Sequence, residues 1–128
     1  MADSLVVVLD GVSQLEYRHG TVLAEQQAAY LDRLDRRMDG GIELGGQRIE
    51  SPDALQRAQY VSLQMLQAVE AGNEAVAAAT CAYLAHRLPD LKQVRAFTHD
   101  GQLTFDLVFD RAYAKEIKVE FMKPQVEN

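Results

Sequence analysis

Residues 94–122 read VRAFTHDGQLTFDLVFDRAYAKEIKVEFM, and the alternation in this stretch decides the fold. Val94, Ala96 and Thr98 share one parity; Leu103, Phe105, Leu107 and Phe109 continue the apolar set, followed by Ile117, Val119 and Phe121. Gln93, Arg95, Gln102, Thr104, Asp106, Lys118 and Glu120 take the opposite parity. A period of two puts one set on a buried sheet face and the other toward solvent. The stretch predicts a three-stranded antiparallel meander whose apolar face needs a cover of helices. Asp100-Gly101 is its first turn. Pairing around that turn sets Arg95 opposite Asp106, Phe97 opposite Thr104 and Ala96 opposite Phe105. A loop at 111–114 then pairs Phe109 with Ile117 and Leu107 with Val119. A slip of one residue would bury charges, so one register is favoured. Phe97 and Val108 are the two apolar residues on the polar face, and they mark a candidate interface.

Upstream, Leu5-Val6-Val7-Val8-Leu9 is a continuous apolar run, the pattern of a strand buried on both faces. It is expected to join the meander, because a lone strand leaves its backbone groups unpaired. After the Asp10-Gly11 turn, residues 12–18 predict a hairpin partner with Val12, Gln14, Glu16 and Arg18 facing one way. Thr21 is expected to cap a helix running to about Met38, with Leu23, Tyr30, Leu31, Leu34 and Met38 as its apolar stripe. Gly40-Gly41 stops it, and Gly45-Gly46 turns a small hairpin between Ile42 and Ile49. Ser51-Pro52-Asp53 opens a second helix, with Ser51 as cap, which ends at Gly72. Asn73 caps a third, reaching Arg87. Its alanines at 75, 77, 78, 79, 82 and 85 let it approach a neighbouring helix closely. Residues 123–128 are expected to fray. The expected architecture is one α+β domain over residues 1–128, an antiparallel sheet covered on one face by about three helices.

The 128 residues carry a formal net charge of −6 and a pI near 5.0. That balance disfavours nucleic acid and anionic membranes as partners. No run approaches the roughly 18 apolar residues of a membrane span, and residues 5–9 are too few for a signal sequence. The single cysteine, Cys81, excludes an internal disulfide and suits a reducing compartment. A cytoplasmic location is the expectation.

Motifs for chemistry are few. The two glycine pairs lack the strand–loop–helix spacing and the lysine of a phosphate cradle. The run ending at Asp10 resembles the strand that carries a nucleophilic aspartate in phosphoryl-transfer enzymes, but Val12 stands where those sites place a second acid. Cys81 and His86 are five apart, the wrong spacing for one helix face. His19, His86, His99, Asp100 and Cys81 come from separate elements, so a metal site would require the fold to gather them. The run from Asp32 to Asp39 mixes signs and reads as a solvated helix face with local pairs such as Asp32–Arg36. Its sharper reading is an anion or partner patch of Arg33, Arg36, Arg37 and Arg48.

No cofactor or metal is called for. The favoured expectation is a small non-catalytic binding, adaptor or regulatory module that self-associates as a homodimer or binds another protein. The alternative is an enzyme or small-ligand binder with a pocket between sheet and helices, its polar groups drawn from Asp10, His19, Tyr30, Tyr60, Tyr83 and His86.

Overall fold

A computed structural model describes residues 4–114. Six strands and three helices follow in the order β1 (Ser4–Leu9), β2 (Val12–Arg18), α1 (Glu25–Asp39), β3 (Ile42–Leu44), β4 (Gln47–Ile49), α2 (Ala54–Ala71), α3 (Glu74–Arg87), β5 (Gln93–His99) and β6 (Gln102–Val108). The main sheet has the order β2-β1-β5-β6, and β3-β4 form a separate small hairpin. The fold is α+β in one domain, as the patterning predicts.

The β5–β6 hairpin has the expected register, with Arg95 opposite Asp106, Ala96 opposite Phe105 and Phe97 opposite Thr104. The third meander strand, at 117–121, lies outside the described residues. The sheet itself is mixed rather than antiparallel: β1 runs parallel to β5, with Val7 beside Val94 and Leu9 beside Ala96. Because β1 is apolar on both faces, its pattern carries no preference for direction. Its buried Leu5, Val6, Val7 and Val8 fit a central strand.

In β2 the parity breaks. Val7 pairs with Leu15 but Val8 with Ser13, so Gln14 is the extra residue of a bulge. Leu15 and Tyr17 therefore turn onto the helix side, against the core, while Glu16 and Arg18 stay outside. The expected common facing of Val12, Gln14, Glu16 and Arg18 fails for this reason.

Helix starts follow local hydrogen bonding. Thr21 does not cap α1; its Oγ1 donates to Arg18 O at 2.6 Å and closes the turn after β2. The helix begins after Ala24, whose N–H donates to Gln27 Oε1 at 2.9 Å. In α2 the cap is Asp53 rather than Ser51. Asp53 accepts from Gln56 N at 2.8 Å, and Gln56 Oε1 accepts from Asp53 N at 2.9 Å, a reciprocal capping box. Gly72 ends α2 in the left-handed region at φ 75°, and Asn73 caps α3 as expected.

One core joins the helices to one sheet face. Leu5, Val7, Val94 and Ala96 meet Leu31, Leu34 and Met38 of α1, Val61, Met65 and Leu66 of α2, and Cys81, Tyr83 and Leu84 of α3. Among the described residues no helix covers the opposite sheet face. One flaw sits in the core: Ser62 is fully buried and its Oγ has no hydrogen-bond partner among the described residues. Desolvating an unpaired hydroxyl costs about 1–3 kcal/mol. Ser62→Ala is therefore expected to stabilise the protein by about 1 kcal/mol in a urea titration, after the loss of some packing. A destabilised variant would show that the hydroxyl has a partner.

Candidate functional site

By register the outer sheet face carries Val6, Val8, Gln93, Arg95, Phe97, Thr104, Asp106 and Val108, of which Val6, Val8, Gln93 and Val108 are buried. Phe97 is 42% exposed toward the turn end of this face, one residue past the last β1–β5 pair, with Arg95 on its own strand and Thr104 across the hairpin. Val108, expected beside it as an exposed apolar residue, is 8% exposed. Past Phe109 the chain turns back over this corner, and the buried Gln93 donates from Nε2 to Arg111 O at 3.0 Å. Val108, opposite Gln93, is closed off there. An open cleft of about 960 Å³ lies on this side, walled by the Asp10–Ser13 turn, Gln93, Arg95 and the 111–114 segment. Arg95 Nη1 donates to Gln93 Oε1 at 2.8 Å within it.

Asp10 borders this cleft, but its carboxylate is engaged. Its two oxygens accept from Thr98 N at 2.8 Å and Thr98 Oγ1 at 2.6 Å, while its own N–H donates to Ala96 O at 2.9 Å. These bonds, side-chain first, hold its pKa below the ordinary aspartate value. Asp10, at φ 50°, thus extends the parallel β1–β5 pairing beyond the last strand residue. The carboxylate thus fastens the strand terminus to β5.

A second cluster lies between β2 and α3. Tyr17 OH and His86 Nε2 share a hydrogen bond at 3.0 Å, and their rings meet edge-on with centroids 5.7 Å apart. His19 Nε2 donates to Leu91 O at 2.7 Å, since a carbonyl only accepts; its Nδ1 is buried without a partner among the described residues. Burial, then the charges of Arg87 and His19, lower the His86 pKa. Burial, then nearby Cys81, raise that of Tyr17. Burial alone pushes the Cys81 thiol up to about 12, the behaviour of an inert core thiol. The fold thus gathers His19 and His86 but leaves His99 and Asp100 at the far turn, paired with each other at 3.4 Å. Among the described residues no His, Cys, Asp and Glu group is arranged to hold a metal ion. Tyr17 is the residue that sequence reading missed, because the bulge hides its facing.

The third cluster ties the helices together. Asp35 accepts from Tyr83 OH at 2.5 Å, Arg87 Nε at 2.9 Å and Arg57 Nη1 at 3.2 Å. Arg87 also reaches Asp32 at 3.1 Å, and Arg57 reaches Asp39 at 2.6 Å. Burial works to raise the Asp35 pKa, but the bonds from Tyr83, Arg87 and Arg57 outweigh it and hold the carboxyl below its usual value. The acids of the Asp32–Asp39 run therefore face α2 and α3 rather than pairing along α1. Tyr83 belongs to this structural network, and Tyr60 packs part-buried against the core from α2.

Tyr30 lies elsewhere, on an open groove of about 290 Å³ between the first half of α1 and α3. Of the six candidates, His19 and His86 come from separate elements and lie close enough for the charge of one to act on the other, while Tyr83 stands one turn from His86 on α3. Compared with known proteins, the chain matches no family model, no curated protein and no solved structure. No helix among the described residues is long and apolar enough to cross a membrane.

Proposed function

We propose that this chain is a small non-catalytic binding module that works as a homodimer, joined through the outer sheet face around Phe97. The observation that carries the reading is an aromatic residue 42% exposed on a sheet face that no helix covers among the described residues. Exposed aromatics at the centre of a polar-rimmed patch are the usual anchors of protein interfaces. Charge favours a second copy as the occupant. The chain carries a net −6, which opposes self-association at most of its surface. Beside Phe97 stands one charge of each sign, Arg95 and Asp106 lying opposite each other. A two-fold axis through this patch brings Arg95 of each copy toward Asp106 of the other, and such self-complementarity is what an isologous interface needs.

The engagement of Asp10 by Thr98 and the inert burial of Cys81 support a non-catalytic role. A lone, buried thiol also fits the cytoplasmic part of the reading.

A single-cysteine variant tests the geometry. Thr104 is exposed beside Phe97, and sheets stacked face to face sit about 10 Å apart. A short bis-maleimide is expected to link Thr104→Cys into a covalent dimer, while wild type, with only Cys81, stays unlinked. Efficient linking through a cysteine at exposed Glu74, but not at Thr104, would place the interface elsewhere.

A further inference from the structure

The groove between α1 and α3 follows from an uneven seam. The two helices run the same way, and at their C-terminal ends Asp32 and Asp35 bind Arg87 and Tyr83 across the seam. At their N-terminal ends the facing residues on α3 are Ala75, Ala78, Ala79 and Ala82, whose methyl groups are too short to fill the gap. Across from them stand Tyr30 and Leu31, with Gln26 and Gln27 beside them, and Tyr17 of β2 also lines the space.

From this arrangement we infer that the groove is a binding slot for a planar, uncharged, largely apolar ring molecule. Three observations define that class. The volume, about 290 Å³, is at the small end of ligand pockets, which begin near 300 Å³. Four alanines on successive turns make a low, even wall facing a tyrosine and a leucine, a shape that admits a flat ring. The lining holds no ionised side chain; its polar groups are two tyrosine hydroxyls and two amides. Of these, Gln27 Oε1 is occupied by Ala24 N–H, and Tyr17 OH is bonded to His86. The fixed Tyr17 ring is thereby held in place as one wall. Arg33 lies 5.8 Å from the centre of the Tyr30 ring and steadies that side too. No ionised side chain lines the slot itself, Arg33 being stacked beside the Tyr30 ring, so a ring with one hydrogen-bonding group suits the walls and the remaining polar atoms.

This slot lies on the helix side of the molecule and does not depend on the dimer. Indole is a suitable probe, titrated into the full chain and followed by backbone amide shifts. Saturable shifts are expected at Ala75, Ala78, Ala79, Ala82, Tyr30 and Leu31. Ala78→Leu, which fills the slot from an exposed position, is expected to weaken binding at least tenfold while Asp100→Asn, at the exposed β5–β6 turn, leaves it unchanged. Ala75→Leu, also at an exposed position, provides the same test should the first variant melt early. Absence of saturable shifts up to the solubility of indole, shifts centred elsewhere, or equal affinity in a folded leucine variant would overturn the assignment.

Discussion

Replacing Asp35 with alanine is expected to lower stability by about 3 kcal/mol and Tm by about 10 °C. One carboxylate accepts from three groups on two other helices, and each donor loses its partner together. Tyr83 is 2% exposed, so its hydroxyl has no ready access to water once Asp35 is gone. An unpaired buried hydroxyl costs about 1–3 kcal/mol, and hydrogen bonds to a charged group contribute about 1.5–3 kcal/mol. Arg57 and Arg87 retain Asp39 and Asp32, which limits the damage. Tyr83→Phe in the Asp35→Ala background is expected to recover part of the loss, since it removes the orphaned hydroxyl. The same carboxylate gives a pH signature. Its folded pKa lies below the unfolded value of about 3.9, so its stabilisation is complete above that value and is lost as pH falls through the lower, folded one. Thermal melts in acid should therefore show a shallower decline for Asp35→Ala than for wild type. A loss below about 1 kcal/mol at neutral pH would reduce the network to an ordinary surface pair.

Phe97→Glu is expected to raise the dimer dissociation constant about a thousandfold without unfolding the protein. Truncating a central aromatic anchor costs about 2 kcal/mol or more, and a two-fold interface uses each residue twice. Twice that cost is about 4 kcal/mol, and each 1.4 kcal/mol is tenfold. Two carboxylates brought to the axis add repulsion. The folded monomer is little affected, because Phe97 lies on the exposed face outside the helix-covered core. Surface substitutions of this kind usually change stability by about 0.5 kcal/mol.

How much of this was legible in the chain depends on whether a residue has a unique local reason for its position. The alternation from Val94 to Leu107 does, and its register is reproduced pair for pair. The parallel pairing of β1 was not legible, because an all-apolar strand fits its neighbour in either direction. The α1 start was obscured by Thr21, whose hydroxyl serves a turn equally well and is used that way. The Asp32–Asp39 run offered acids to arginines on its own helix, and only the packing of α2 and α3 supplies Arg57 and Arg87 instead. The Tyr17–His86 bond joins residues 69 apart, across a bulge that reverses Tyr17's facing, so no local pattern pointed to it. Val108 looked exposed by parity alone, but it is 8% exposed opposite Gln93, which the returning chain binds at Arg111.

Light-scattering mass of wild type and Phe97→Glu, measured side by side over a dilution series at neutral pH, tests the dimer most directly. Wild type should hold twice the 14.3 kDa chain mass until the lowest concentrations, while the variant reads a single chain throughout. A wild type that is monomeric at every concentration, or a variant that remains as dimeric as wild type, would contradict the account.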